Sequence, residues 1–138
     1  MSRVEMRIKN RMEDMPEIAS MVERFCAQSG IPSAITNDLN LCLDEILCNI
    51  ISYGYPEQGA GTITVKLNYG RGRLEAEIHD DGMAFDPLQA GPPDTSGTVQ
   101  TRKIGGIGIH FVKELMDDIV YRRVGDENQL LLIKNIPG

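Results

Sequence analysis

From Ser33 to Tyr53 the apolar residues Ile35, Leu39, Cys42, Leu43, Ile46, Leu47, Ile50 and Ile51 recur at helical spacing, with no glycine or proline between them. Side chains at these intervals form one stripe along a helix, and a stripe that long has to be buried against a second layer. The spacing predicts a helix over about 33–53.

The second layer is written in the residues on either side. Val4, Met6 and Ile8 alternate with charged residues, the period of a half-buried strand. Ile63, Val65, Leu67 and Tyr69 alternate, Gly70-Arg-Gly72 turns, and Leu74, Ala76 and Ile78 alternate again, which predicts a hairpin. Asp14, followed by Pro16 and Glu17, is expected to cap a shorter helix striped by Ile18, Met21, Val22 and Phe25. Gly30 is placed to end that helix in the left-handed conformation, after which Ile31-Pro32-Ser33 begins the long one. Tyr53 to Gly61 reads as a loop. Near the C-terminus, Ile107 to Met116 is helical in pattern, Ile119 to Val124 strand-like, Gly125-Asp-Glu-Asn128 a turn, and Leu130 to Asn135 a closing strand.

Strands with one apolar side each suit a sheet covered on a single face. The fold class expected is α+β: a two-layer sandwich with a mixed, mostly antiparallel sheet and about three helices on one face. Thr64, Lys66, Glu75, Glu77 and His79 fall on the uncovered side. A chain of 138 residues suits one domain over 1–138, large enough for a real core.

A net charge of -6 repels phosphate backbones and anionic lipid surfaces, so neither nucleic acid nor a membrane is an expected partner. Apolar runs such as Leu130 to Ile133 are far shorter than a bilayer span, and the first residues carry no signal-type apolar segment. Cys26, Cys42 and Cys48 are odd in number, never spaced C-x-x-C, and two of them lie in the apolar helical pattern. They read as small core hydrophobes with free thiols, the usage of a reducing, cytoplasmic compartment.

Three short stretches carry chemistry. Glu45 and Asn49 are four residues apart on the long helix and share a face, where the amide oxygen of Asn49 suits Mg²⁺ alongside phosphate oxygens and water, and Glu45 could orient or deprotonate a hydroxyl. Asp80 has the parity of Leu74, Ala76 and Ile78, which turns its carboxylate to the helix side, and a carboxylate there needs a donor. An adenine amino group is one such donor, with Gly82 allowing close approach. Gly105-Gly106-Ile-Gly108 opens a helix, where free N–H groups favour phosphate. Alone, these are a polar contact at a helix rim, a strand-ending turn and a flexible glycine turn. Their order and local structure together describe a nucleotide site.

In that order the chain resembles the GHKL (Bergerat) ATP-binding fold, and within it the small anti-sigma-factor serine kinases of bacterial partner-switching systems. The resemblance implies ATP and Mg²⁺ as cofactors, Glu45 as catalytic base and Asn49 as the Mg²⁺ ligand. It implies Asp80 as reader of the adenine amino group in an Asp-x-Gly-x-Gly box that runs through Gly82 to Ala84, where the second glycine is replaced. Phe85 continues the nucleotide-contacting pattern, and Lys103, Gly105, Gly106, Ile107 and Gly108 lie at the phosphate end. The segment from about Pro87 to Lys103 corresponds to the lid over ATP. Tyr53 stands where many relatives carry His. The implied partners are a sigma factor and an anti-sigma-factor antagonist whose serine is phosphorylated, with a possible homodimer. A nucleotide-gated binding module without phosphotransfer is the alternative that the residues leave open.

Overall fold

The structure, a computed structural model, describes residues 2–55, 59–86 and 106–137, with the side chains of 106–108 excepted. Strand β1 (Ser2–Lys9) leads through a 3-10 turn (Met12–Asp14) into helix α1 (Met15–Ser29) and then α2 (Ser33–Tyr53). The hairpin β2 (Thr62–Gly70) and β3 (Arg73–Asp80) follows, and after it α3 (Gly106–Leu115), β4 (Asp118–Val124) and β5 (Glu127–Asn135).

The sheet order is β1-β2-β3-β5-β4. Every neighbouring pair is antiparallel, so the sheet is not the mixed one that the pattern suggests. A parallel pair needs a crossover beside its own strand, and the long connection through α3 instead delivers β4 to the far edge. There, among the described residues, β4 pairs only with β5, which returns antiparallel alongside β3.

Alternation sorts the sheet into two faces. Met6, Val65, Ile78, Leu130 and Tyr121 lie in one row across the strands, and Val4, Leu67, Ala76, Leu132 and Ile119 in the next. These rows meet the stripes of the helices: Ile18, Met21, Val22 and Phe25 from α1, and Leu39, Cys42, Leu43, Ile46 and Leu47 from α2, all buried in one core with Ile109 and Val112 of α3. Leu43 is 1% exposed in the middle of that layer. Leu43→Ala is therefore expected to cost about 3 kcal/mol, read as a fall in the urea midpoint with an unchanged slope.

Turn chemistry explains most boundaries. Arg71 and Gly72 have φ of 55° and 72°, the paired left-handed conformation of a two-residue type I′ hairpin turn. Gly30, with φ 74°, ends α1 as its position predicts. Asp14 departs from expectation. It occupies the cap position of α1 but makes no cap hydrogen bond, because its carboxylate turns back to accept from the Lys9 N–H at 3.2 Å and from Arg11 at 2.7 Å, fixing the 3-10 turn. The turn before β5 is also shorter than expected: only Gly125 and Asp126 turn, and Glu127 and Asn128 already belong to the strand. Cys26, Cys42 and Cys48 are free thiols, the first two buried. Among the described residues no helix is long and apolar enough to cross a membrane.

Candidate functional site

Where α2, the ends of β3 and β5 and the start of α3 converge, they enclose a cavity of about 260 Å³. Glu45 and Asn49 line it from α2, Asp80 from the last position of β3, and Phe85 from the segment after it. Apolar walls come from Ile46, Ile50, Ile109, Val112 and Leu130. The three sequence stretches are thus brought together at one place.

Asp80 is 4% exposed, on the row that continues Ile8 and Ile63 inward. Its Oδ1 accepts from the Gly82 N–H at 2.9 Å and from Nδ2 of Asn128, the residue directly opposite on β5, at 3.0 Å. Among the described residues Oδ2 accepts nothing, and the residue borders the cavity. Burial pushes the Asp80 carboxyl above its ordinary range, and the bonds from Asn128 and Gly82 offset only part of this. Its neighbour is tuned the other way. Burial also opposes ionisation of Asp81, but the Tyr55 hydroxyl at 2.7 Å and the Thr62 N–H at 3.0 Å hold that carboxyl below the usual range.

Gly82 is buried against the end of α2. A Cβ at this position would lie 2.5 Å from the Gly54 carbonyl oxygen and 3.0 Å from Asp80 Oδ1. The adjoining backbone is pinned on both sides, by the Met83 N–H donating to Gly54 O at 2.8 Å and by Arg123 donating to Gly82 O at 2.9 Å. Gly82→Ala must displace this seam. It is expected to destabilise the protein by about 1–3 kcal/mol, measurable as a lowered Tm.

On α2, Asn49 Nδ2 donates to Glu45 Oε1 at 3.4 Å. That contact turns the amide N–H toward Glu45 and leaves the Asn49 oxygen as the atom able to meet a cation. No cluster of three or more His, Cys, Asp or Glu suited to a metal occurs among the described residues, and a divalent ion held by Asn49 would need further oxygen ligands from phosphate and water. The donor set fits Mg²⁺ accompanying a polyphosphate.

Gly106, Ile107 and Gly108 form the first turn of α3, as the glycine pattern predicts. Lys103, Gly105 and the lid segment lie outside the described residues. Ala84 is exposed, and the cavity lining passes from Met83 to Phe85 without it. Tyr53, at the end of α2, borders the cavity and is 45% exposed.

Two polar lining residues, Asn128 and Tyr121, are not among the site residues that the sequence points to. Asn128 is 7% exposed and receives the hydroxyl of Tyr121 from β4. Its signal was its parity with Leu130 and Leu132, hidden by taking Gly125 to Asn128 as a turn.

The model of the histidine kinase-like ATPase domain matches residues 8–134. A serine-protein kinase RsbW of Listeria monocytogenes is 26% identical over 112 residues, covering 75% of this chain and 71% of the relative. The serine/threonine-protein kinase BtrW of Bordetella bronchiseptica is 32% identical over 94 residues, 68% of this chain and 66% of the relative. In the crystal structure of the RsbU and RsbW domains of a Mycobacterium tuberculosis protein, a match with TM-score 0.71 and 12% identity covers 99% of this chain and 33% of that one, and so supports the fold. With 127 consecutive residues matched, and with the nucleotide-site residues gathered at one cavity, the chain belongs to the histidine kinase-like ATPase domain family.

Proposed function

We propose that the protein is an ATP-dependent serine/threonine protein kinase that phosphorylates an anti-sigma-factor antagonist and, in its other state, sequesters a sigma factor. The observation that carries the reading is buried Asp80, whose Oδ2 has no hydrogen-bond partner among the described residues and which lines the same cavity as the Glu45–Asn49 pair. Relatives named as serine-protein kinases support the transfer chemistry and its class of substrate.

In this reading Asp80 accepts from the adenine amino group, and Gly82 lets the base lie close to the backbone. The apolar walls from Ile46, Ile50 and Val112 take the ring faces out of water. Asn49 holds Mg²⁺ through its amide oxygen, and the N–H groups at the start of α3 meet the phosphates, with Lys103 and Gly105 assigned to the same end by sequence. Bound ATP·Mg supplies the phosphoryl group and neutralises the charge that spreads over it during transfer. Glu45 takes the proton of the attacking serine hydroxyl, the role its place beside the Asn49 amide suits. In this reading the protein works in the cytoplasm, as a homodimer.

The test is incubation with radiolabelled ATP, Mg²⁺ and a serine-bearing antagonist protein. A labelled antagonist is the expected result. Nucleotide-dependent stabilisation without any label would instead assign a gated binding module, and no rise in Tm at millimolar ATP would remove the nucleotide reading altogether.

A further inference from the structure

Asn128 uses every hydrogen-bonding position it has. The backbone N–H of Phe85 can only donate, and it lies 3.3 Å from the side-chain oxygen, which fixes the orientation of the amide. That oxygen also receives the Tyr121 hydroxyl. The two Nδ2 protons then point to Asp80 Oδ1 at 3.0 Å and to the Met83 carbonyl at 2.9 Å. With two donors and two acceptors engaged, no side-chain group of Asn128 is left to hydrogen-bond a ligand.

What Asn128 does control is the neighbour that can. A carboxylate attached to a strand end is free to rotate its two oxygens unless one is tied. Here both ties, from Gly82 N and from Asn128, converge on the same oxygen. Among the described residues the other oxygen is left untied, and the residue borders the cavity. Asn128 also holds the chain beyond β3 at both Met83 and Phe85, two residues that border the cavity with it. Removing it would leave the Gly82 N–H as the one remaining tie of these two on the carboxylate and would release this wall.

We propose that Asn128 is a positioning residue for nucleobase selection: by holding one oxygen of Asp80 it aims the other at an exocyclic amine, and so makes the pocket prefer a 6-aminopurine. The inference rests on the ATP reading above and assigns base discrimination to a residue whose own hydrogen-bonding groups are all engaged by the protein. Tyr121 supports it from the far side by fixing the amide.

The experiment compares ATP with purine riboside triphosphate, which lacks the 6-amino group, by calorimetric titration of wild type and Asn128→Leu. Wild type is expected to prefer ATP by at least about tenfold, the value of a hydrogen bond to a charged acceptor. In Asn128→Leu the preference is expected to fall below about threefold, with most of the loss on ATP. A merely structural role lowers both affinities together and keeps the ratio, and that result overturns the inference. If Asn128→Leu lacks a cooperative melt, Asn128→Ala replaces it, since it loses both donors without setting a second carboxylate against Asp80, with the same expectation. Asn128→Thr, which restores one hydroxyl donor on a strand, is expected to recover the preference, and failure to do so counts against the proposal.

A second readout needs no nucleotide. Carbon NMR of the Asp80 carboxyl in ligand-free protein should show its titration moving to higher pH in Asn128→Leu, because a donor to the charged form is gone while Arg123 and Asp81, the other charges acting on it, remain. An unmoved titration overturns the contact. A wild type that binds both triphosphates equally defeats the adenine assignment of Asp80, whereas a selective wild type with a selective Asn128→Leu defeats only the role of Asn128.

Discussion

Asp80→Asn is expected to lower ATP affinity about 100-fold while leaving thermal stability unchanged or raised. The new side chain can keep an oxygen toward Gly82 N and Asn128, which satisfies the protein, but it then turns an amide N–H toward the base where a lone pair was needed. A donor facing the adenine amine forfeits a charge-assisted bond and adds an unpaired group, which together reach about 3 kcal/mol. Stability moves the other way. Burial holds the Asp80 carboxyl above its ordinary range, so the folded state favours the neutral acid more than the unfolded chain does. Above the unfolded value the charged form therefore costs stability, and that cost is relieved as pH falls through the raised folded value. A neutral amide escapes the cost at every pH. Calorimetric titration beside a thermal melt measures both arms, and an ATP affinity within about threefold of wild type would show that Asp80 does not read the base.

Glu45→Ala should separate binding from chemistry. The loss of a general base typically lowers a transfer rate by roughly 100- to 10,000-fold, and no contact to the base pocket is removed. ATP affinity is thus expected to stay within about threefold of wild type, because the hydrogen bond Glu45 makes among the described residues is to Asn49, at 3.4 Å, and not to the groups assigned to the base. The checks are single-turnover transfer to the antagonist serine and nucleotide binding on the same preparation. Unreduced transfer would remove Glu45 from the chemistry and leave it as the partner that orients Asn49.

Much of this architecture is legible in the chain before any coordinates. The α2 stripe is bounded at Ser33 and Tyr53, because an unbroken apolar period admits few other readings. The inward turn of Asp80 follows from strand parity alone, since a residue two beyond Ile78 must face the same side. Where the reading fails, side chains serve something other than the pattern. Asp14 has the identity of a helix cap but is claimed by Arg11, three residues before it, and by the backbone of Lys9. Asn128 looks like turn material because Asn is common in turns, yet the turn needs only Gly125 and Asp126, and the amide is spent on a buried carboxylate contributed from 48 residues away. Long-range pairing of two polar residues leaves no local period to detect.

The seam between Gly54 and Gly82 has a mechanical corollary. Peptide groups from the tail of one helix and the tip of one strand touch there without side chains between them. Such a weld leaves little slack, so the long helix and the tip of that strand are expected to travel as a single piece, and a displacement on ligand binding is then carried by other parts of the molecule.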